Sequence, residues 1–197
     1  IEQITSFFKA IDKANTRPVS IGGDHSITGG IVQGLANGIL TKGEKVCFLH
    51  LDAHTDVFTK VDHFLGAEKS AAHWGAYLAD QGMVDPSHSI QIGLRGHPRT
   101  LDWLQPSYDY GSNVITMKEY RQRGSTEVIQ QIKTVLNDRP IYITFDLDCL
   151  DPSVAPAVAN LEPGSTGFSI DEAVELIHAV RGMNIIGGDV VLSLIHI

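Results

Sequence analysis

Three short polar clusters interrupt the apolar stretches of this chain: Gly22-Gly23-Asp24-His25-Ser26, Asp52-Ala53-His54-Thr55-Asp56 and Asp146-Leu147-Asp148. An extended backbone turns residues i and i+2 to the same side, so Asp52 with His54, and Asp146 with Asp148, are expected to face one point. Gathering Asp52, Asp56, Asp146 and Asp148 there without partners would cost several kcal/mol for each buried charge. Two divalent cations would balance the four carboxylates, with His25 and His54 completing the shells. A donor set rich in oxygen with two imidazoles suits manganese better than a closed, structural zinc site. Singly, Asp56 reads as a helix cap, His25 as a satisfied histidine at a helix start and Asp151-Pro152 as a turn. Their combination is not explained that way. His50, two residues before Asp52 and inside a strand, is expected to pack beside a ligand or bond to one rather than serve as a ligand. His88, His97 and His178 carry no partner signal.

The elements that must position these clusters follow from the hydrophobic pattern. Apolar runs of strand length at 18–21, 45–51, 89–94, 113–115, 141–145 and 184–191 alternate with amphipathic stretches of helical length. That alternation predicts an α/β fold, three-layer α/β/α, with a mostly parallel central sheet. Helices are expected through Ile4, Phe7, Phe8 and Ile11, over 25–39, 71–80 and 100–104, and through Val128, Ile129, Ile132 and Val135. A further helix opens at Ser169, where Ser169 and Glu172 fit a capping box. A polar turn is expected at 95–99 and a long loop over 150–166. In such sheets ligands bind beyond the carboxyl ends of the strands, and all three clusters fall there. Residues 1–192 read as one domain cut at both ends and therefore expected to expose apolar surface. The tail 193–197 resembles a translated sequencing adapter and is set aside.

Composition removes several function classes. With 15 Lys and Arg against 23 Asp and Glu the net charge is -8, and no basic stripe follows a phosphate backbone, so nucleic acid is not an expected partner. No apolar run reaches the ~20 residues of a membrane span. Cys47 and Cys149 sit in apolar runs without a Cys-x-x-Cys spacing, which fits buried thiols of a reducing, cytoplasmic compartment.

In its three motifs, completed by Phe145-Asp146-Leu147-Asp148-Cys149-Leu150-Asp151-Pro152, the chain resembles the ureohydrolases, the family of arginase, agmatinase, guanidinobutyrase and formimidoylglutamase. The stretch from Asp85 to Arg95 looks agmatinase-like. The resemblance implies two Mn2+ ions, one held by His25, Asp52, Asp56 and Asp146, the other by Asp52, His54, Asp146 and Asp148. It further implies attack of a hydroxide, oriented by Asp56, on the guanidino carbon of a small linear substrate, giving urea and an amine. A histidine would carry a proton to the leaving amine; His73 is the best match and His63 its rival. Asn160 and Glu162 are the candidate substrate contacts, and a homotrimer or homohexamer is implied. Two positions depart from the family: Val158 replaces a threonine, and Leu192 stands where a glutamate commonly pairs with the guanidinium. They keep open a metal-binding pseudoenzyme, beside an amide hydrolase of the deacetylase type with one zinc.

Overall fold

The computed structural model describes residues 1–59, 68–96, 101–158, 160–162 and 166–192. His63, His97 and the tail after Leu192 lie outside them. Six strands, β1 (Val19–Ile21), β2 (Cys47–Leu51), β3 (Ile90–Leu94), β4 (Asn113–Thr116), β5 (Ile141–Asp146) and β6 (Ile185–Val191), form one sheet in the order β1-β6-β5-β2-β3-β4. Every pairing is parallel.

Strand periodicity decides which face each side chain meets. Along β2, Cys47, Leu49 and Leu51 enter one core with Val128, Ile132 and Leu176, whereas Val46 and Phe48 enter the other with Ile31, Leu35, Trp74 and Leu78. The first core is covered by α5 (Met117–Arg123), α6 (Ser125–Leu136) and α7 (Ile170–His178), the second by α1 (Glu2–Lys13), α2 (Ser26–Leu35) and α3 (Trp74–Asp80), giving the expected three layers. Leu49, Leu51, Ile90 and Ile92 are completely buried, and each such side chain contributes about 1.5–3 kcal/mol. The odd-even alternation carries on past the apolar run, so His50 and Asp52 share the parity of Val46 and Phe48. Val19 and Ile21 on the edge strand β1 are exposed.

Several expected elements shift. The helix expected over 25–39 stops at Leu35, because the buried carboxylate of Asp12 accepts the backbone N–H groups of Ile39 at 2.8 Å and Leu40 at 2.9 Å and turns the chain. The helix expected over 100–104 is instead α4 (Gln105–Asp109), opening at the residue before Pro106, since proline fits only a first turn. Helix α5 went unread, although Thr116 and Glu119 form a full capping box. The box expected at Ser169 and Glu172 is present. Arg95, assigned by sequence to a polar turn, is buried; its guanidinium donates to the carbonyls of Asp148 (2.7 Å), Cys149 (3.0 Å) and Leu150 (2.9 Å). His88, without a partner signal in the sequence, meets Asp85 Oδ2 at 3.0 Å.

Strand β3 contains a position that requires glycine. Gly93 interrupts β3 with φ of +108°, and a Cβ there would stand 2.8 Å from the Phe168 ring and 3.0 Å from the Asp52 carbonyl oxygen. Gly93→Ala is therefore expected to lower stability by about 1–3 kcal/mol in urea unfolding. A loss under about 0.5 kcal/mol would contradict this close approach.

Candidate metal centre

The central neighbours β5 and β2 end side by side, and their carboxyl ends supply Asp146 and Asp52. The chain after β1 brings His25 to the start of α2. His25 Nδ1 lies 2.8 Å from Asp56 Oδ2, 3.0 Å from Asp146 Oδ2 and 3.2 Å from Asp52 Oδ2. On the far side of Asp52, His54 Nδ1 lies 3.3 Å from Asp52 Oδ1 and 3.0 Å from Asp148 Oδ2. Two clusters result, and each brings ligand atoms within 4.8 Å of one another: His25, His50, Asp52 and Asp56 in one, and Asp52, His54 and Asp148 in the other. Asp52 belongs to both. Asp146 adds its Oδ2 to the first, while its Oδ1 accepts the Asp148 backbone N–H at 2.8 Å.

The i, i+2 pairs do converge, though not through an extended pleat. Asp52 Oδ1 accepts the His54 backbone N–H at 2.6 Å, and Asp148 lies in a single 3-10 turn, Leu147–Cys149, closed by the bond to Asp146. A carboxylate accepting the amide two residues on closes a tight turn that sends both side chains one way. Asp56 has φ of +51°, a left-handed backbone that aspartate tolerates better than most residues. Its Oδ2 accepts Trp74 Nε1–H at 2.9 Å, and its carbonyl accepts the Gly75 N–H at 3.0 Å.

Hydrogen-bond partners separate ligands from their supports. Gln91 Nε2 donates to the Thr55 carbonyl at 2.7 Å, which fixes the amide orientation, and its other proton points to His50 Nδ1 at 3.1 Å. His50 therefore carries its proton on Nε2 and donates to Asp52 Oδ2 at 2.8 Å, as a support to that carboxylate. By contrast, His25 Nδ1 and Asp148 Oδ2 are buried and make no directed hydrogen bond. Each cluster thus holds one buried donor atom aimed at carboxylate oxygens or imidazole without bonding them, an arrangement built for a cation between them. The residues fit a pair of divalent ions.

The electrostatics agree. Burial alone would pull His25 down, but the charge of Asp56 and the close carboxylates of Asp146 and Asp52 hold it well above its ordinary value. His54, pulled down by burial, is pushed up to about 12 by Asp148 and Asp52. Burial and then the charge of Asp52 raise both Asp146 and Asp148, whereas Asp52, despite its burial, is held well below the usual carboxylate range by His25, His50 and His54. In the metal-free chain, protons take the part that cations would play.

The arginase family model matches residues 1–192. The chain belongs to the arginase family. Curated relatives of this arginase-family chain include agmatinases from Enterobacter sp. (strain 638) and Serratia proteamaculans (strain 568), each 32% identical over 96% and 90% of the chain respectively. The chain spans about half the length of these relatives, 56% and 52%. Among solved structures, proclavaminate amidino hydrolase from Streptomyces clavuligerus aligns with a TM-score of 0.84 at 28% identity, covering 96% of this chain and 60% of that one. Formimidoylglutamase from Bacillus subtilis aligns with a TM-score of 0.84 at 26% identity, covering 96% and 58%.

All six residues of this arginase-family member named from the sequence as candidate ligands meet at one place, and Asn160 and Glu162 lie beside His54. His73 is buried, its Nδ1 2.6 Å from Ser70 Oγ, in a segment whose neighbours Ala72 and Gly75 bond to the backbone of Phe58 and Asp56. Glu162 Oε1 lies 2.8 Å from His54 Nε2, and Asn160 Nδ2 lies 3.1 Å from the same nitrogen. Sequence reasoning missed Trp74, Gln91 and Thr144. The last stands two residues before Asp146, as His50 does before Asp52, so the same spacing could have flagged it. Ligation needs deprotonated donors, so ion binding must expel the proton held by His54, which is pushed up to about 12. Apparent Mn2+ affinity is expected to rise with pH throughout the range below that value, with proton release visible as a buffer-dependent heat in calorimetry. Binding indifferent to both pH and buffer would contradict this.

Proposed function

We propose that the chain belongs to a binuclear manganese hydrolase that cleaves a C–N bond of a linear guanidino compound and releases urea and an amine. The observation that carries this reading is the pair of clusters joined at Asp52, each with a buried donor atom that has no hydrogen bond. The likeness to agmatinases and to an amidino hydrolase supports the guanidino class. Manganese follows from the donor set, four carboxylates with two imidazoles. The two free, buried thiols Cys47 and Cys149 support a cytoplasmic setting. Among the described residues, no helix is long and apolar enough to cross a membrane.

His25, Asp52, Asp56 and Asp146 would hold one ion, and Asp52, His54 and Asp148, with Asp146 reaching across, the other. Such ions supply a water that is deprotonated near neutral pH and poised to attack a planar carbon. Trp74 donates to Asp56 Oδ2, so the contact that orients the attacking water falls to Oδ1. His73, whose Nδ1 meets Ser70 Oγ, passes a proton to the leaving amine. Asn160 and Glu162, on the His54 side, flank the amine portion of the substrate.

A second reading, a metal-binding subunit without turnover, is favoured by Leu192 at the guanidinium position and by the burial of Val158. Urea assay of the full-length, manganese-loaded protein with arginine, agmatine, guanidinobutyrate, guanidinopropionate and guanidine separates the two. Release from at least one substrate is expected, and silence on all five with both ions bound sinks the hydrolase. One tightly bound zinc per chain would instead support an amide hydrolase. In the active protein His73→Ala is expected to lower kcat by about 10²–10⁴-fold with metal content unchanged, as measured by steady-state kinetics and elemental analysis. An unaltered kcat would remove His73 from the mechanism.

A further inference from the structure

Asp189 on β6 is almost wholly buried, and the partners it has are hydroxyls rather than a cation. Thr28 Oγ1 and Tyr142 OH each donate to its Oδ2 at 2.8 Å, and Thr144 Oγ1 donates to its Oδ1 at 2.7 Å. The sheet register enforces the last contact, because Thr144 and Asp189 are direct partners across β5 and β6. A buried carboxylate compensated only by neutral hydroxyls is a costly way to fill a core, and an apolar residue of similar size would commonly be less destabilising. What the carboxylate supplies that an apolar residue cannot is direction to the protons around it.

The proton inventory shows where that direction leads. Thr144 has a single hydroxyl proton, and the ionised carboxylate of Asp189 can only accept. With that proton committed to Asp189, Thr144 Oγ1 can only accept from its other close neighbour, His25 Nε2, at 2.9 Å. His25 Nε2 must then carry a proton. In the neutral imidazole Nδ1 is left bare, and Nδ1 is the atom that faces Asp52, Asp56 and Asp146.

We infer that Asp189 is a positioning residue that selects the metal-binding tautomer of His25, acting through the hydroxyl of Thr144; this rests on the proposed metal centre. Removing the carboxylate leaves the Thr144 proton with His25 Nε2 as its closest acceptor. The imidazole then carries its own proton on Nδ1 and presents N–H instead of a lone pair to the ion. Tyr142 bonds to the same carboxylate but not to Thr144, so it shares the structural part of the arrangement without the directing part.

Calorimetric titration of the metal-stripped, full-length protein with Mn2+, paired with thermal melts, tests this. Two binding events are expected in the natural sequence. Asp189→Ala and Thr144→Val should weaken one of them about 10–100-fold and spare the other. Thr144→Ser, which keeps the hydroxyl, should restore both, and Tyr142→Phe should lower Tm while leaving both affinities intact. Unchanged affinities in Asp189→Ala, or an equal loss in Tyr142→Phe, would overturn the inference. Should Asp189→Ala fail to fold, the Thr144→Val and Thr144→Ser pair decides in the same way. If the natural protein binds no Mn2+, the metal centre and the tautomer role fall together. If it binds two ions and the variants match it, only the tautomer role falls.

Discussion

Mutual repulsion among Asp52, Asp56, Asp146 and Asp148 is the constraint around which this molecule is organised. All four are buried to within a few per cent of completely, at the ends of the two strands in the middle of the sheet. A protein interior cannot hold four such charges against one another without positive charge between them. In the metal-free chain that charge comes from protons on His25 and His54, and the perturbed carboxylates around them record the compromise. Divalent ions would take the place of those protons.

The aiming comes from groups that are not ligands. Gln91 orders His50, His50 donates to Asp52, the Trp74 indole holds Asp56, and Arg95 clamps three successive carbonyls of the turn that carries Asp148. His50 and Trp74 each donate to one carboxylate oxygen of the centre. The supports sit on β2, β3 and α3 and just past the end of β3, so the packing that forms the two cores also sets the angles of the donor atoms. Stability and metal binding draw on the same side chains here.

Much of this was legible in the sequence. Apolar runs of strand length marked the strands, and the clusters that follow them marked the site, because a parallel sheet opens its ligand-binding edge at strand ends. The six ligand positions could be read because their spacing is local: His54 and Asp56 follow Asp52, and Asp148 follows Asp146. What could not be read depends on contacts between distant segments. Asp12 ends α2 through amides 27 and 28 residues along the chain, Arg95 is buried by carbonyls of the turn after β5, and Thr144 meets Asp189 only once β5 and β6 have paired. Helix α5 is different, since Thr116 and Glu119 announced it locally and the signal was passed over.

The order of the strands also bears on how the centre comes into being. Thr28 and Asp189 are separated by 161 residues and His25 and Thr144 by 119, yet both pairs are in hydrogen-bond contact. Long separations of this kind slow folding, because chain closure must precede the contacts that reward it. His25 waits for Asp146 and Asp148, which follow β5, and the carboxylate that backs it through Thr144 comes later still, on β6. A site built from all six candidate donors is complete only when β5 has paired with β2, and its backing only when β6 has paired with β5.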